Sequence, residues 1–198
     1  MGWEAQAMNG VAVDPAVHLA LRFVLSSLLA WAAGHKLRDR GGFRSALARY
    51  ELLPARALGA ATVGVIALEI GVAAALWLPG ATAIAGLAAA GLFALYAAAI
   101  GVNLARGRTQ IGCGCAGVAG DHPLSAALVW RNLVLVAAAL AIALPSSSRA
   151  LTWLDAITVG AGVLVLVMAY AAVDGLLANA PKIAALTSRH FADEGQHA

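Results

Sequence analysis

The two cysteines of this chain lie one residue apart, in the stretch "TQIGCGCAGVAGDHP" at residues 109–123. Gly114 separates Cys113 from Cys115, and further glycines flank the pair. A disulfide across so short a loop is geometrically tight, and strain raises its reduction potential, so the bond is readily passed on by exchange. Glycine supplies the backbone freedom that such a small ring needs. The spacing therefore favours a redox pair.

Two other interpretations of the cysteines stay open. They could be small packing residues, although a polar, glycine-rich loop offers little to pack against. They could also be metal ligands, because two thiolates with further histidines form common zinc sites. His122 is close in sequence and His35 belongs to the same membrane end, but this ligand set is incomplete. We therefore expect redox chemistry and assign no metal ligands.

The residues after the cysteines would help to stabilise a thiolate. Asp121 is a predicted N-cap of the following helix, and the positive end of a helix dipole lowers the pKa of a nearby thiol. Arg131 adds positive charge two turns further in, and Asn132 can donate a hydrogen bond. The candidate catalytic residues are Cys113, Cys115, Arg131 and Asn132.

Three charged residues fall inside apolar segments, where an ionised side chain needs a partner. They are Arg22, Glu69 and Arg131. At ~1.5 Å per residue, Glu69 and Arg22 lie at a similar depth, about 20 Å from the loop that begins at Lys36. We expect Glu69 to face another helix and to pair with Arg22 or Arg131. A second candidate polar cluster in the bundle consists of Lys36, Glu69 and Asn103.

The composition indicates that membrane-spanning helices hold these residues in position. Of the 198 residues, 62% are hydrophobic and 12% are charged, whereas a soluble domain carries about 25% charged residues. A membrane-spanning helix needs ~20 mostly apolar residues. The sequence therefore predicts an all-α polytopic membrane protein, with a four-helix bundle that holds the cysteine loop at one end and no nucleic-acid partner. The predicted spans are 16–37, 57–78, 81–104, 124–144 and 151–173.

The domain organisation follows from these spans. Residues 1–178 form one predicted membrane domain, and residues 179–198 form a polar tail that we expect to fray. The N-terminus lacks the basic region of a signal peptide, so the first span should be retained. Between the first two spans, Phe43, Leu47 and Tyr50 recur at helical spacing, which predicts an amphipathic helix over 42–53 at the membrane interface. A plain connecting loop is the alternative.

The charge distribution conflicts with a disulfide-forming role. Five spans place the first loop, the cysteine loop and the tail on one side, with ten basic residues against Arg149 alone on the other. The positive-inside rule then puts the cysteines at the cytoplasmic face, whereas disulfides form at the extracytoplasmic face. Both orientations stay open. In the cytoplasmic one, the pair would take electrons from a cytoplasmic thiol and pass them outward.

Five motifs occur in the order found in the MauE family of methylamine-utilisation proteins, which belongs with the DoxX-like membrane proteins. The resemblance runs from about Leu28 to Leu140 and is most specific at Cys-Gly-Cys and Trp130-Arg131-Asn132. It implies a protein of the bacterial cell membrane that helps to mature the disulfide-rich small subunit of methylamine dehydrogenase together with a thioredoxin-like protein. The motifs are "KLRDRGGFRSALARYELLP", Glu69, "LYAAAIGVNLARGR", "CGCAG" and "VWRNLVL".

The arrangement also resembles vitamin K epoxide reductase and DsbB-type enzymes, which pass electrons from a cysteine pair to a quinone. This resemblance implies a quinone as the candidate cofactor. The chain lacks the second cysteine pair of those enzymes, which argues against a self-contained oxidase. We expect a membrane thiol–disulfide redox protein. The alternatives are a non-enzymatic assembly factor or chaperone whose cysteines only hold the loop, and a component of metal transport.

Overall fold

The computed structural model describes residues 12–109, 111 and 124–194. These residues form an all-α structure with no β-strand, as the composition predicts. Five of the described helices are long and apolar enough to cross a membrane, which confirms the expected multi-span architecture. The helices are α1 Pro15–Arg38, α2 Arg40–Tyr50, α3 Leu58–Ala75, α4 Thr82–Ala105, α5 Ala126–Ala143 and α6 Trp153–Glu194.

Helix α2 is the amphipathic helix that the sequence predicts between the first two spans. Phe43 and Tyr50 are buried, and Leu47 is half-buried. The helix begins at Arg40, two residues before the predicted segment, and ends at Tyr50, because Glu51 adopts a left-handed conformation with φ of 49°. The remaining residues of α2 are mostly polar and exposed, so one face alone packs against the bundle.

Helices α1, α3, α4 and α5 form the predicted four-helix bundle, and α6 packs outside it along α1. The most extensive helix pair is α4 with α5. Gly86 permits this packing, because a Cβ atom there would lie 2.9 Å from the carbonyl oxygen of Ala139 and 3.0 Å from the amide nitrogen of Ala143. Small residues allow membrane helices to approach in this way.

The end of the bundle opposite the cysteine loop is held by one arginine. Arg149 forms ion pairs with Asp14, at the start of α1, and with Asp155, at the start of α6, at 3.0 and 2.8 Å. The hydrogen bonds from Arg149 hold the pKa of Asp14 below its ordinary value. Asp155 also accepts hydrogen bonds from the amide and hydroxyl of Thr152, and so caps the start of α6. This clamp joins the first and last helices.

Helix α6 continues beyond the predicted fifth span. Its backbone is helical through Glu194, whereas the sequence predicts a frayed tail from residue 179. Residues 176–186 contain three leucines and four alanines, whose high helix propensity favours continuation of an existing helix. Pro181 removes one backbone N–H donor without ending α6.

Candidate functional site

The cysteine loop itself lies outside the described residues. This applies to Cys113, Cys115 and Asp121. The predicted cap position is wrong, because α5 begins at Ala126 and its N-cap residue is Ser125. Both ends of the loop are described, and they meet. The amide of Leu124 donates a hydrogen bond to the carbonyl oxygen of Thr109 at 3.0 Å. The chain therefore leaves the end of α4 and returns to the start of α5 at one point.

Ile111, two residues before the first cysteine, packs at this end of the bundle. It contacts an apolar cluster that combines residues from α2, α4 and the start of α5. The buried members of this cluster are Tyr50, Ile100, Leu124 and Leu128. The amphipathic helix therefore contributes directly to the support beneath the first residues of the loop.

Glu69 is fully buried in the bundle and binds two partners with one oxygen. Its Oε1 accepts hydrogen bonds from Nζ of Lys36 at 2.6 Å and from the hydroxyl of Tyr96 at 2.7 Å. The prediction that Glu69 faces other helices is confirmed. The predicted pairing with Arg22 or Arg131 is wrong, because Lys36 of α1 is the partner.

Lys36 lies within α1 and is not the start of a loop, so it reaches Glu69 from a depth that span length alone does not predict. Helix α1 continues past Lys36, whose side chain is only 3% exposed, and its long aliphatic stem carries the ammonium to Glu69. Arg22 instead binds at the other end of α3. Its Nε donates to the carbonyl oxygen of Leu76 at 2.7 Å, and its guanidinium lies 5.0 Å from the centre of the Trp77 ring.

A second buried ion pair joins α5 to α6. Arg131 donates to the carboxylate of Asp174 at 2.7 Å, and Asp174 has no exposed surface. The guanidinium also lies 5.5 Å from the centre of the Tyr170 ring. Sequence reasoning missed Asp174 because the predicted fifth span stopped one residue before it. The candidate membrane span Trp153–Leu176 includes Asp174, so a predicted span one residue longer would have contained this charge.

The two candidate asparagines bond within their own helices. The side-chain amide of Asn132 donates to the carbonyl oxygen of Leu128 at 2.7 Å, and that of Asn103 donates to Ala99 at 3.0 Å. Both asparagines are buried. Of the predicted polar cluster, the structure brings the lysine and the glutamate together, whereas the hydrogen bond of Asn103 stays within α4.

A cavity of about 350 Å³, which we call the inner cavity, lies between α1, α4, α5 and α6. Its wall is mainly apolar and aromatic, with Trp31 and Phe93 among its residues. Lys36 and Tyr96, which bond to Glu69, also line it, as does Arg131, which bonds to Asp174. The polar side chains in the wall are Ser27, Lys36, Tyr96, Arg131, Asn132 and Tyr170. One member of each buried ion pair, Lys36 in the first and Arg131 in the second, therefore lines the same cavity.

A second, almost wholly apolar cavity of about 270 Å³ lies between α2, α3 and α4. Lys36 and Tyr96 line both cavities and so form part of the wall between them. Within residues 12–109, 111 and 124–194, no three histidine, cysteine or acidic side chains are grouped as metal ligands. Each buried lysine or arginine of the inner cavity has a carboxylate partner, so the cavity wall is close to neutral.

Comparison with known proteins places these features in one family. The family model described as methylamine utilisation protein MauE matches residues 14–145. The matched region includes α1 through α5, with Lys36, Glu69, Tyr96 and Arg131. Helix α6, which carries Asp174, lies outside that match.

Individual relatives agree with the family match. The chain is 40% identical over 131 residues to methylamine utilization protein MauE of Paracoccus denitrificans, covering 66% of this chain and 70% of the relative. It is 34% identical over 173 residues to MauE of Methylophilus methylotrophus, covering 84% of this chain and 89% of the relative. No solved structure matches significantly. The chain therefore belongs to the MauE family.

Proposed function

We propose that this protein is a membrane thiol–disulfide redox protein that supports disulfide formation in an extracytoplasmic protein. The observation that carries the proposal is the hydrogen bond between Leu124 and Thr109, which joins the two ends of the Cys-Gly-Cys loop at the polar end of the bundle. Ile111 packs there, two residues before Cys113. A loop held at both ends can present a thiol pair while its glycine-rich centre changes conformation.

In this proposal Cys113 and Cys115 are the exchanging thiols, and α5 supplies the stabilisation of their thiolate form. The positive end of the α5 dipole favours a thiolate close to its first turn. Arg131 stabilises the thiolate less than its charge alone suggests, because Asp174 compensates that charge at 2.7 Å. We assign to Arg131 and Asn132 the role of positioning the start of α5 and the adjacent cavity wall.

We propose a client and an exchange partner on the basis of the family resemblance. The relatives are named methylamine utilization proteins, and we propose the disulfide-rich small subunit of methylamine dehydrogenase as the client. A thioredoxin-like protein is the proposed exchange partner. A thiolate of one protein attacks a disulfide sulfur of the other, and a mixed disulfide links the two until the second cysteine resolves it.

The test is trapping of that mixed disulfide. Cys113→Ser and Cys115→Ser are expressed singly in the native host, and membranes are quenched with acid and a thiol-blocking reagent. One single variant should accumulate a covalent adduct with the thioredoxin-like partner, because its resolving thiol is missing. The unaltered chain should show little adduct, and the double serine variant should show none.

The disulfide content of the client is measured in the same strains, with Ser45→Ala on the exposed face of α2 as the matched control. Loss of client disulfides in the double serine variant, at normal membrane abundance, supports the proposal. Full client maturation by that variant would overturn it and would favour the assembly-factor alternative, in which the cysteines only hold the loop.

A further inference from the structure

We propose that the inner cavity binds a membrane quinone that accepts the electrons released by the cysteine pair. This inference rests on the proposed thiol–disulfide function and adds its electron acceptor. It is carried by the shape of the cavity, its access from the bilayer and the chemistry of its wall, each of which belongs to residues that the structure describes.

The cavity has the dimensions and access of a site for a lipophilic molecule. Its α1 lining extends from Ser27 to Lys36, a rise of about 13 Å along the helix. Its volume of about 350 Å³ lies within the usual range for small-molecule sites, roughly 300–1,000 Å³. Trp31 and Val167 line it and are 55% and 37% exposed on membrane-spanning helices. A ligand can therefore enter from the lipid between α1 and α6.

The charge of the wall selects a neutral ligand. Glu69 compensates Lys36, and Asp174 compensates Arg131. An anionic head group would bring an uncompensated charge into this apolar cavity, and a cationic ligand would face ammonium and guanidinium donors. Burial of an uncompensated charge is strongly unfavourable. A charged lipid would therefore bind in this cavity less favourably than a neutral molecule.

The donors in the wall require oxygen acceptors on that neutral ligand. An ammonium has three N–H donors, and the structure gives Lys36 one acceptor, Glu69. Asn132 has two amide N–H donors, of which one bonds to Leu128. The flat rings of Phe93 and Tyr96 lie in the same wall and suit stacking on an aromatic-sized ring. A lipophilic ring that carries carbonyl oxygens fits all of these features.

The redox balance calls for such an acceptor. When Cys113 and Cys115 form a disulfide, two S–H bonds break and one S–S bond forms, which releases two electrons and two protons. The chain has no other cysteine to receive the electrons. A quinone takes up both electrons and both protons on its two oxygens, and leaves the cavity as the neutral quinol.

The test measures binding without any turnover. The full-length Cys113→Ser/Cys115→Ser protein in nanodiscs is titrated with a benzoquinone that carries a short isoprenoid chain. Tryptophan fluorescence reports binding, because quinones quench nearby indoles and Trp31 lines the cavity. The isoprenoid alcohol without the quinone ring serves as a competitor, which distinguishes ring recognition from occupation by any lipid chain.

A matched pair of variants on α6 locates the site. Ala171 lines the inner cavity, whereas its neighbour Ala172 is exposed and does not. Ala171→Phe should fill the cavity and weaken quinone binding by about tenfold or more, and Ala172→Phe should bind like the parent. Trp31→Phe should remove most of the saturable quenching.

Three results would overturn the inference. They are equal binding by the two phenylalanine variants, equal competition by the ring-free alcohol, and saturable quenching that survives Trp31→Phe unchanged. Since the titrated protein has no cysteines, this outcome is independent of the mixed-disulfide test. Failure of quinone binding together with successful trapping would leave the thiol–disulfide function intact and require another electron acceptor.

Discussion

At the scale of single residues, the unusual feature is Glu69, a carboxylate with no exposed surface in the middle of an apolar helix. Its Oε1 accepts from both Lys36 and Tyr96, whereas its Oε2 has no hydrogen-bond partner among the described residues. The ammonium of Lys36 compensates the charge of Glu69 in this buried setting. Removal of either partner would leave the other charge buried and uncompensated.

We therefore predict strong coupling between these two residues. Glu69→Leu or Lys36→Met alone should lower the free energy of unfolding by about 3–5 kcal/mol, as breaking a buried ion pair does. The double variant should lose less than the sum of the two single losses, because no unpaired charge remains. Unfolding in mixed micelles measures all three proteins, and Arg44→Met, on the exposed face of α2, is the control. Additive losses would contradict the coupling.

At the scale of helices, the bundle depends on the close approach of α4 to α5 at Gly86. The nearest α5 atoms to a Cβ at this position belong to the backbone, so rotation of a flexible side chain could not relieve a clash. Gly91 lies on the same helix and is exposed, and a Cβ atom added there would meet no other atom within 4 Å. The two glycines therefore serve different purposes in one helix.

These glycines make a matched pair for a stability prediction. Gly86→Ala should lower the free energy of unfolding by about 1–3 kcal/mol, because the two backbones must separate. Gly91→Ala should leave stability unchanged or raise it by up to about 1 kcal/mol, since alanine has the higher helix propensity. Thermal unfolding of both proteins in the same detergent checks the difference. Equal stability of the two variants would show that α4 and α5 do not pack this closely.

At the scale of the whole molecule, the two ends of the bundle differ in their surface charge. Lys36 does not contribute to the basic surface at the cysteine end, because Glu69 compensates it inside the bundle. The exposed arginines of α2 still do, and the exposed Arg106 adds to them, whereas Arg108 is paired with Glu51. At the opposite end, Arg149 is bound by two aspartates. By the positive-inside rule this charge bias favours a cytoplasmic position for the cysteine end, whereas the proposed disulfide formation requires the extracytoplasmic face.

This orientation can be measured with single engineered thiols. In the Cys113→Ser/Cys115→Ser background, Ser148→Cys at the Arg149 end should react with a membrane-impermeant thiol reagent in intact spheroplasts. Ser45→Cys on α2 should react only after permeabilisation, because both serines are exposed but at opposite ends. The reverse pattern would place the natural cysteines at the oxidising face. They would then form client disulfides directly instead of passing electrons outward from a cytoplasmic thiol.

The sequence alone determined the fold class, the five spans and helix α2. These features follow from hydropathy over about 20 residues and from the spacing of apolar side chains, which are properties of continuous segments. The same is true of the capping interaction between Thr152 and Asp155, which are three residues apart. The family motifs are also continuous, so the family could be recognised from them and is confirmed by the family match.

Only the tertiary structure decided which buried groups meet. The partners of Glu69 come from α1 and α4, and Asp174 reaches Arg131 from a helix outside the main bundle. Such pairings depend on the rotation and relative height of separate helices, and these are set by packing between helices such as the close contact at Gly86. A sequence window contains no information on these offsets, because each helix is equally stable at many rotations until its neighbours constrain it. The inner cavity, which Lys36, Tyr96 and Arg131 line, is therefore a property of the assembled bundle and of no single segment.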